Sequence, residues 1–469
     1  MLNFVPITDS SSDSTPVLRV GSSQILRIEK LVPGGAGLAR VDGHVVFCPD
    51  TLPGELVRVE ILSGRKGVWY GDAKEIVERH ESRHQPPCPY VGKCGGCQLQ
   101  HLPYGFQLEQ KALMLKEILC RIGKQNSLEV APVVPSSLDL GYRHIIRLAV
   151  GQGKRAKVLG LFEAGGHVIC PIEQCLLAVE EITPIVREVE AILGGLSLPR
   201  GLLVHVEIRW SGYEEGSQLI LRGFAQNASK ISPIMNRLEQ IPLVRGVVYE
   251  WLDPQDRSQR KRSSQDPIVR GHDYLWQSYL GLVLKVGFRS FMQANWLLFE
   301  QVGQDLLQGI KCPAGFRMLE LYAGVSPLGM VLARIGARVT CVEVNKWAVE
   351  DARISVARNG LHGCRVKEAS AESYLHTVQP GQFDGMLLDP PRAGLMGQVV
   401  DRIVTLGVPR LWYLSCDMAT LARDVKRLCE GGYVIQRVQP YDMFPQTAQL
   451  ETMVTLYRST ASGVETHSI

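Results

Sequence analysis

The chain has 469 residues, of which 45% are hydrophobic and 21% charged, and its formal net charge is +4. These values exclude a disordered or fibrous protein, and the length requires more than one hydrophobic core. The mildly positive charge permits an anionic partner without requiring one. No apolar run is long enough for a membrane helix, the N-terminus lacks a signal-type segment, and the cysteines are too sparse for a disulfide scaffold, so we expect a cytoplasmic protein that does not contact a membrane.

The first part of the chain predicts a short tail followed by a small β-barrel. Residues 1–17 are rich in Ser, Asp and Pro and are expected to be disordered. Residues 18–80 contain short segments with period-2 alternation, such as S-Q-I-L-R-I-E and H-V-V-F-C, separated by Gly and Pro. Strands of this length between tight turns are typical of a small barrel.

A cluster of cysteines follows the predicted barrel. The stretch C-P-Y-V-G-K-C-G-G-C places Cys88, Cys94 and Cys97 within ten residues. In a reducing compartment such a cluster indicates metal binding, by either a zinc ion or an iron–sulfur cluster. Zinc sites usually bring a second close pair of ligands, and the next candidates are the distant Cys170 and Cys175.

The middle of the chain predicts a mostly β domain over residues 81–285. A helical pattern spans 105–123, and residues of about 102–135 could pack on the domain that follows. Between about 140 and 285 the pattern is again one of strands, such as L-L-V-H-V-E-I-R-W. The predicted middle domain would therefore contain the cysteine cluster.

Strands and helices alternate over residues 286–460, which predicts a doubly wound α/β domain, followed by a tail at 461–469. Sheets of this kind bind ligands at the carboxyl ends of their strands. L-E-L-Y-A-G-V-S-P-L-G joins a strand to a helix, and Gly324 allows its turn to approach a ligand closely. Glu343 ends the next strand, where a carboxylate can accept hydrogen bonds from a ribose. A dehydrogenase would give a similar pattern, although this stretch has no G-x-G.

Three further strand ends carry chemically useful side chains. Asp389 precedes two prolines in L-D-P-P-R-A-G, which resembles the substrate-facing loop of S-adenosylmethionine methyltransferases. Cys416 ends a strand before a helix for which Asp417 is a candidate N-cap, and the helix N-terminus can favour a thiolate there. Glu451 opens an apolar strand, as either a solvated strand end or a proton acceptor. A small buried core residue is the alternative interpretation of Cys416.

Taken together, the motifs S-C-D, D-M-F-P-Q-T-A-Q-L-E, L-D-P-P-R-A-G and S-F-M-Q-A-N resemble the RNA uracil-5-methyltransferase family. The resemblance extends over about residues 18–458. It implies that residues 18–80 form a TRAM domain, an OB-like RNA-binding barrel. It also implies that residues 286–460 form a Rossmann-like domain that uses S-adenosylmethionine.

The resemblance also implies a mechanism and a set of site residues. Cys416 would add to C6 of uracil, and Glu451 would remove the proton from C5. Phe291 would stack near a base extruded from the RNA fold. The residues implied to line the S-adenosylmethionine pocket are Gln293, Tyr322, Gly324, Glu343, Ser370 and Asp389.

In the family, a fourth cysteine completes a [4Fe–4S] cluster, and the match falls on Cys175. The cluster is expected to be structural, because the methyl transfer needs no electrons. By the resemblance, a TRAM domain together with a cluster favours 23S ribosomal RNA as the substrate, with transfer RNA as an alternative. We expect the protein to be a monomer. A second alternative is an RNA-binding protein on an inactive methyltransferase scaffold, although such a protein would need neither Cys416 nor Glu451.

The chain departs from the family pattern at several positions. The first pocket loop usually reads C-G-x-G-N-F, whereas here it is A-G-V-S-P-L, with Ser326 and Pro327 in place of Gly and Asn. A Ser–Pro pair predicts a helix start with Ser326 as its N-cap. Ser370 stands where an acidic or amide group often meets the adenine, and Gln449 stands where His is frequent.

Overall fold

The computed structural model describes residues 18–125, 127–152, 157–194, 201–224, 228–253, 265–310 and 315–459, together with residues 196, 199, 255 and 313. The predicted tails at 1–17 and 461–469 lie outside the described residues. The chain divides into two compact units, Met1–Gln85 and Pro86–Ile469. No helix within the described ranges combines the length and apolarity needed to cross a bilayer.

The first unit is a barrel of short strands. Its strands are β1 (Ser23–Arg27), β2 (Lys30–Leu31), β3 (Gly37–Val41), β4 (His44–Cys48), β5 (Leu56–Arg65) and β6 (Val68–Glu78). Their order in the sheet is β1-β5-β6-β4-β3-β2. Only two residues separate β1 from β2 along the chain, and β1 also contacts β3, so the two ends of this order lie close together. The apolar side chains of alternate positions, such as Val57, Val59 and Ile61, fill the interior.

The second unit begins with the cysteine segment and helix α1 (Tyr104–Arg121), followed by a seven-stranded mixed sheet. Its strands are β7 (Ile145–Gln152), β8 (Lys157–Phe162), β9 (Ile169–Pro171), β10 (His205–Ser211), β11 (Gly216–Gly223), β12 (Val244–Trp251) and β13 (Ile268–Gly271). Their order is β13-β12-β11-β10-β7-β8-β9. Helices α2 (Ile182–Gly194) and α3 (Ala228–Leu238) pack on this sheet and share one apolar core with it. A hairpin, β14 (Tyr274–Tyr279) and β15 (Leu282–Gly287), leads to helix α4 (Trp296–Gly309).

The last part of the unit is the predicted doubly wound sheet. Its strands are β16 (Arg317–Leu321), β17 (Arg338–Glu343), β18 (Cys364–Glu368), β19 (Gly385–Leu388), β20 (Arg410–Ser415), β21 (Tyr433–Tyr441) and β22 (Glu451–Arg458). The helices between them are α5 (Pro327–Arg334), α6 (Lys346–Arg358), α7 (Ala371–Thr377), α8 (Gly397–Leu406) and α9 (Met418–Glu430).

The order of this sheet is β18-β17-β16-β19-β20-β22-β21, and β16 to β20 are parallel. The order reverses between β16 and β19, so the crevice of the sheet opens at the carboxyl ends of these two strands. Tyr322 follows β16 and Asp389 follows β19, which places both residues at this crevice. β22 is antiparallel to β20, so the start of β22 lies at the same edge.

Candidate active site

The sheet register brings Cys416 and Glu451 together. Ser415, the last residue of β20, pairs with Thr452 near the start of β22. Cys416 and Glu451 therefore lie one residue beyond this pair, on neighbouring strands at the ligand-binding edge. Cys416 is half-buried, whereas Glu451 is buried.

The pocket around this pair is rich in acidic groups. Burial, reinforced by the Glu451 carboxylate, raises the pKa of the Cys416 thiol to about 11, although Arg392 acts to lower it. Burial also raises the pKa of Glu451 well above its usual range, and the charge of Asp389 adds to this shift. The pKa of Asp389 is itself raised to about 7 by burial and by Glu320. The helix N-terminus next to Cys416 is therefore outweighed by burial and by neighbouring carboxylates. Such a pocket retains protons near neutral pH and can exchange them with a bound substrate.

Arg392 is a member of the site to which sequence reasoning assigned no role. Arg392 is an exposed residue, and its positive charge acts to lower the pKa values of Cys416 and Glu451. The loop that carries it is docked on α9, since the Thr420 hydroxyl donates to the Arg392 carbonyl at 3.1 Å. Asp424 of α9 also accepts a bond of 2.7 Å from the Leu395 N–H. The arginine within L-D-P-P-R-A-G, beside a strand-end carboxylate, was the available signal.

The loop after β16 has an unusual backbone. Tyr322, Gly324 and Ser326 all have positive φ, at 61°, 56° and 58°. The Gly324 N–H donates to Glu343 Oε2 at 2.9 Å, and the Asn345 N–H donates to Glu343 Oε1 at 2.7 Å. Both carboxylate oxygens of Glu343 are thus oriented by backbone groups. At Gly324 the space beside the backbone is open, since nothing lies within 4 Å of the position that a Cβ would occupy.

The prediction that α5 starts here with Ser326 as its N-cap is confirmed, but the serine side chain has a different partner. The helix does begin at Pro327, with Ser326 in the N-cap position, but its side chain makes no capping bond. Its hydroxyl instead donates to the buried carboxylate of Glu320 in β16. The left-handed backbone conformation of Ser326 differs from the extended conformation that a capping serine adopts, which explains the difference.

Ser370 and the segment before α4 complete the set of predicted residues. Ser370 is the N-cap of α7 and accepts a bond of 3.1 Å from the Ser373 N–H, so its side chain is engaged locally. It lies next to the end of β17, because the Ala369 N–H donates to the Glu343 carbonyl. Gln293 is half-buried and Phe291 is 69% exposed. Both residues lie in the segment between β15 and α4, outside the strands of the doubly wound sheet.

The four predicted cysteine ligands line one cavity. Cys88, Cys94, Cys97 and Cys175 face it together with Arg143. Burial raises the pKa of Cys97 to about 12 and also raises the pKa values of Cys88 and Cys94. Cys170 is buried in the core of the central sheet. Across the described ranges, no three potential ligands are close enough together to bind a single metal ion.

This geometry agrees with comparisons to known proteins. A family described as tRNA (uracil-5-)-methyltransferase matches residues 262–459, and the TRAM domain matches residues 17–74. The 23S rRNA (uracil(1939)-C(5))-methyltransferase of Pseudomonas fluorescens is 32% identical over 470 residues, which cover 98% of this chain and 97% of that protein. An uncharacterized RNA methyltransferase of Thermosynechococcus vestitus is 31% identical over 451 residues, covering 94% and 100%.

A solved structure extends the agreement to the fold. The Pyrococcus abyssi tRNA (uracil-54, C5)-methyltransferase, in complex with S-adenosyl-L-homocysteine, superposes with a TM-score of 0.74 at 25% identity. The match covers 92% of this chain and 99% of that chain. With 32% identity along nearly all of a relative and matching models for both ends of the chain, the protein belongs to the family of S-adenosylmethionine-dependent RNA uracil-5-methyltransferases.

Proposed function

We propose that this enzyme methylates C5 of a uridine in 23S ribosomal RNA through a temporary bond between Cys416 and C6 of uracil. The observation that carries the proposal is the pairing of Ser415 with Thr452, which sets a thiol and a buried carboxyl group on neighbouring strands at the ligand-binding edge of the sheet. Arg392 is the cation that interacts with both groups.

The chemistry explains why a thiol and a carboxylate are both required. C5 of uracil is too weak a nucleophile to accept a methyl group unaided. Addition of the Cys416 sulfur to C6 forms an enolate and turns C5 into the nucleophile. S-adenosylmethionine supplies the methyl group as an electrophile. Glu451 then takes the C5 proton, and the electrons of that C–H bond restore the ring double bond as the bond between sulfur and C6 breaks.

The raised pKa values of Cys416 and Glu451 indicate a role for Arg392. Cys416 must lose its proton before it adds, and Glu451 must be ionised before it accepts one. Because Arg392 lowers the pKa of both groups, its charge stabilises first the thiolate and later the carboxylate. A carboxylate of raised pKa is also a stronger base than an exposed one.

The crevice residues fit S-adenosylmethionine. Glu343 ends the strand next to β16, as expected of a ribose acceptor, and the open space over Gly324 leaves room for a ligand. We assign Gln293, Tyr322, Gly324, Glu343 and Asp389 to this pocket. Ser370 is assigned through its backbone, since its hydroxyl is bonded within α7.

For the cysteine cavity we propose a [4Fe–4S] cluster bound by Cys88, Cys94, Cys97 and Cys175. A zinc ion would need its sulfur ligands about 2.3 Å from one atom. The four cysteines would hold the cluster from the wall of one cavity, whereas no three of the described ligands are placed to bind a single ion. Arg143 in the cavity wall would balance the negative charge of four thiolates. The cluster would serve as a structural link, because no step above transfers an electron.

Support for RNA recognition comes from both units. The barrel formed by β1 to β6 overlaps the TRAM match at residues 17–74, and we propose it as an RNA-binding surface. Phe291, with 69% of its surface exposed, offers a ring on which an extruded uracil can stack. The relative from Pseudomonas fluorescens favours a 23S substrate in the cytoplasm, whereas the fold neighbour from Pyrococcus abyssi makes transfer RNA the second candidate.

Incubation with 5-fluorouridine RNA and S-adenosylmethionine tests the mechanism. Fluorine cannot leave C5 as a cation, so the wild-type protein should form a stable complex with a 23S fragment, and Cys416→Ala should form none. Preferential trapping of transfer RNA would overturn the substrate assignment. Equal trapping by Cys416→Ala would overturn the assignment of Cys416 as the nucleophile.

Two further measurements test the cofactors. Absence of S-adenosylmethionine binding in a direct titration would support the alternative of an RNA-binding protein on an inactive scaffold. Iron and sulfide analysis of anaerobically purified protein tests the cluster, and stoichiometric zinc would contradict it.

A further inference from the structure

The cysteine segment is hydrogen-bonded to the loop that leads to Glu451. The backbone N–H groups of Gln98 and Leu99, which follow the third cysteine of the cluster, both donate to the Gln446 carbonyl at 3.1 and 3.0 Å. These partners are nearly 350 residues apart in sequence. The two segments thus form one bonded unit beside the catalytic edge.

The side chain of Gln98 extends this connection closer to the carboxylate. Its amide nitrogen donates to the Gly95 carbonyl at 2.9 Å, and its amide oxygen accepts from the Ala448 N–H at 3.3 Å. Gly95 lies between Cys94 and Cys97, and Ala448 precedes Glu451 by three residues. One half-buried amide therefore bridges the cysteine loop and the approach to β22.

The other end of the same loop is fixed by α1. Two hydrogen bonds join Gln107 and Gln446. The Gln107 amide nitrogen donates to the Gln446 side-chain oxygen at 2.8 Å, and the Gln446 backbone N–H donates to the Gln107 side-chain oxygen at 3.0 Å. The buried Lys111 donates to Asp442 and to the Phe444 carbonyl. Gln446 has a left-handed φ of 68°, which a non-glycine residue keeps only when its surroundings enforce it. Glu451 pairs with Tyr441 in the sheet, and the Gln449 N–H donates within the loop to the Thr447 hydroxyl. Among the bonds that other described segments make to this loop, the one from Gln98 to Ala448 is the nearest to Glu451.

We infer that Gln98 is a positioning residue that sets Glu451 for removal of the C5 proton. The inference rests on the proposed role of Glu451. A general base must lie about 2.6–3.2 Å from the atom whose proton it takes, and a displacement of about 1 Å can cost 100-fold in rate. Cys416 follows β20, which is connected to the bridged loop only through its pairing with β22. Loss of the bridge should therefore slow release of the product more than addition or methyl transfer.

The experiment separates these steps with ordinary uridine RNA and S-adenosylmethionine. Gln98→Ala and the similarly sized Gln98→Met are compared with wild type and with Glu451→Gln. Single-turnover samples resolved on denaturing gels measure the covalent complex and the free methylated RNA. Both Gln98 variants should form the methylated complex at a near-normal rate and release it about tenfold more slowly, so that the complex accumulates as in Glu451→Gln.

The matched control is Gln277→Ala. Gln277 is a buried glutamine whose amide donates to the Trp210 carbonyl at 3.0 Å, in the hairpin that precedes α4. Its loss should lower the melting temperature without accumulation of the complex. The melting temperatures of both Gln98 variants are measured alongside, and Gln98→Met retains the packing volume if Gln98→Ala folds poorly.

The outcomes distinguish the inference from the function on which it rests. If Glu451→Gln accumulates complex while both Gln98 variants release product at the wild-type rate, Gln98 does not position the base. If the Gln98 variants and Gln277→Ala slow addition and release equally, the bridge is merely structural and the inference is also overturned. If Glu451→Gln accumulates no complex, the proposed mechanism itself is wrong.

Discussion

The hydroxyl of Ser326 donates a hydrogen bond of 2.5 Å to Oε2 of Glu320, across the start of helix α5. Oε1 of the same carboxylate accepts from the Gly329 N–H at 3.2 Å. Gly329 occupies the third helical position, whose N–H an N-cap side chain ordinarily satisfies. A strand residue thus replaces the missing side-chain cap in the loop that departs most from the family pattern.

Replacement of Ser326 tests this arrangement. A buried hydrogen bond to a carboxyl group is worth about 1.5–3 kcal/mol if the carboxyl is charged, and the left-handed conformation costs a non-glycine residue about 1 kcal/mol. Ser326→Ala loses the bond and keeps the strain, so its free energy of unfolding should fall by about 2 kcal/mol. Ser326→Gly loses the bond but relieves the strain and should lose about 1 kcal/mol. Urea denaturation of the two variants should show this order, and a less stable glycine variant would contradict it.

Glu320 should make stability depend on pH. Burial raises its pKa to about 7, so the folded protein binds this proton more tightly than the unfolded chain does. The contribution of Glu320 to the free energy of unfolding is therefore highest at low pH and falls as pH rises from about 4.5 to 7. Glu320→Gln removes the titration and keeps an oxygen acceptor. At pH 8 the variant should be more stable than wild type by up to about 3 kcal/mol, since one pKa unit is about 1.4 kcal/mol.

The same comparison at pH 5 provides the control for Glu320→Gln. At that pH Glu320 is protonated in most folded wild-type molecules. The difference in free energy of unfolding between wild type and Glu320→Gln should therefore nearly vanish. Thermal melts at both pH values measure it. A variant that is destabilised equally at pH 5 and pH 8 would show that the carboxyl geometry, and not its proton, is what matters.

Much of the site could be predicted because strand ends carry a local signal. In a parallel sheet, residues that follow apolar strands gather at one edge, which made Glu343, Asp389 and Cys416 candidates before any contact was known. The proximity of Cys416 to Glu451 could not be derived in this way. It depends on an antiparallel last strand and its register, which joins segments more than 30 residues apart.

Two other features depend on partners that local patterns do not show. Ser326 followed by Pro327 is a typical helix N-terminus, yet the serine hydroxyl donates its hydrogen bond to the buried Glu320 and not to the helix. Arg392 was visible in the sequence, but its loop is placed by Asp424, which is 32 residues further along the chain and carries no motif. Tertiary contacts outweigh local preference at both positions.

Gly394 should be indispensable to the Arg392 loop. Its φ is 73°, and a Cβ would lie 2.4 Å from Asp424 Oδ2, the oxygen that accepts from the Leu395 N–H. Gly394→Ala should therefore displace the loop, lower the free energy of unfolding by about 2 kcal/mol and slow trapping by 5-fluorouridine RNA at least tenfold. Denaturation curves and the trapping rate measure the two effects.

Gly407 provides the matched control for Gly394. It ends α8 with a φ of 60°, and nothing lies within 4 Å of the position of its added Cβ. Gly407→Ala should cost about 1 kcal/mol from backbone strain alone and leave the trapping rate unchanged. Equal trapping rates for the two alanine variants would show that the loop does not need its contact with Asp424.

Arg392 and Glu451 should shift the reactivity of Cys416 in opposite directions. Burial, with Glu451, raises the thiol pKa to about 11, and Arg392 opposes this shift. Iodoacetamide reacts with the thiolate, so the alkylation rate rises with pH until the pKa is reached. Arg392→Ala should raise the pKa and slow alkylation between pH 8 and 10, whereas Glu451→Gln should lower the pKa and speed it. Mass spectrometry of the Cys416 peptide measures the rates, with the exposed Cys120 as an internal reference that neither substitution should alter. If both variants moved the rate in the same direction, access to the pocket would control the reaction, and the assignment of Arg392 as the stabilising cation would fail.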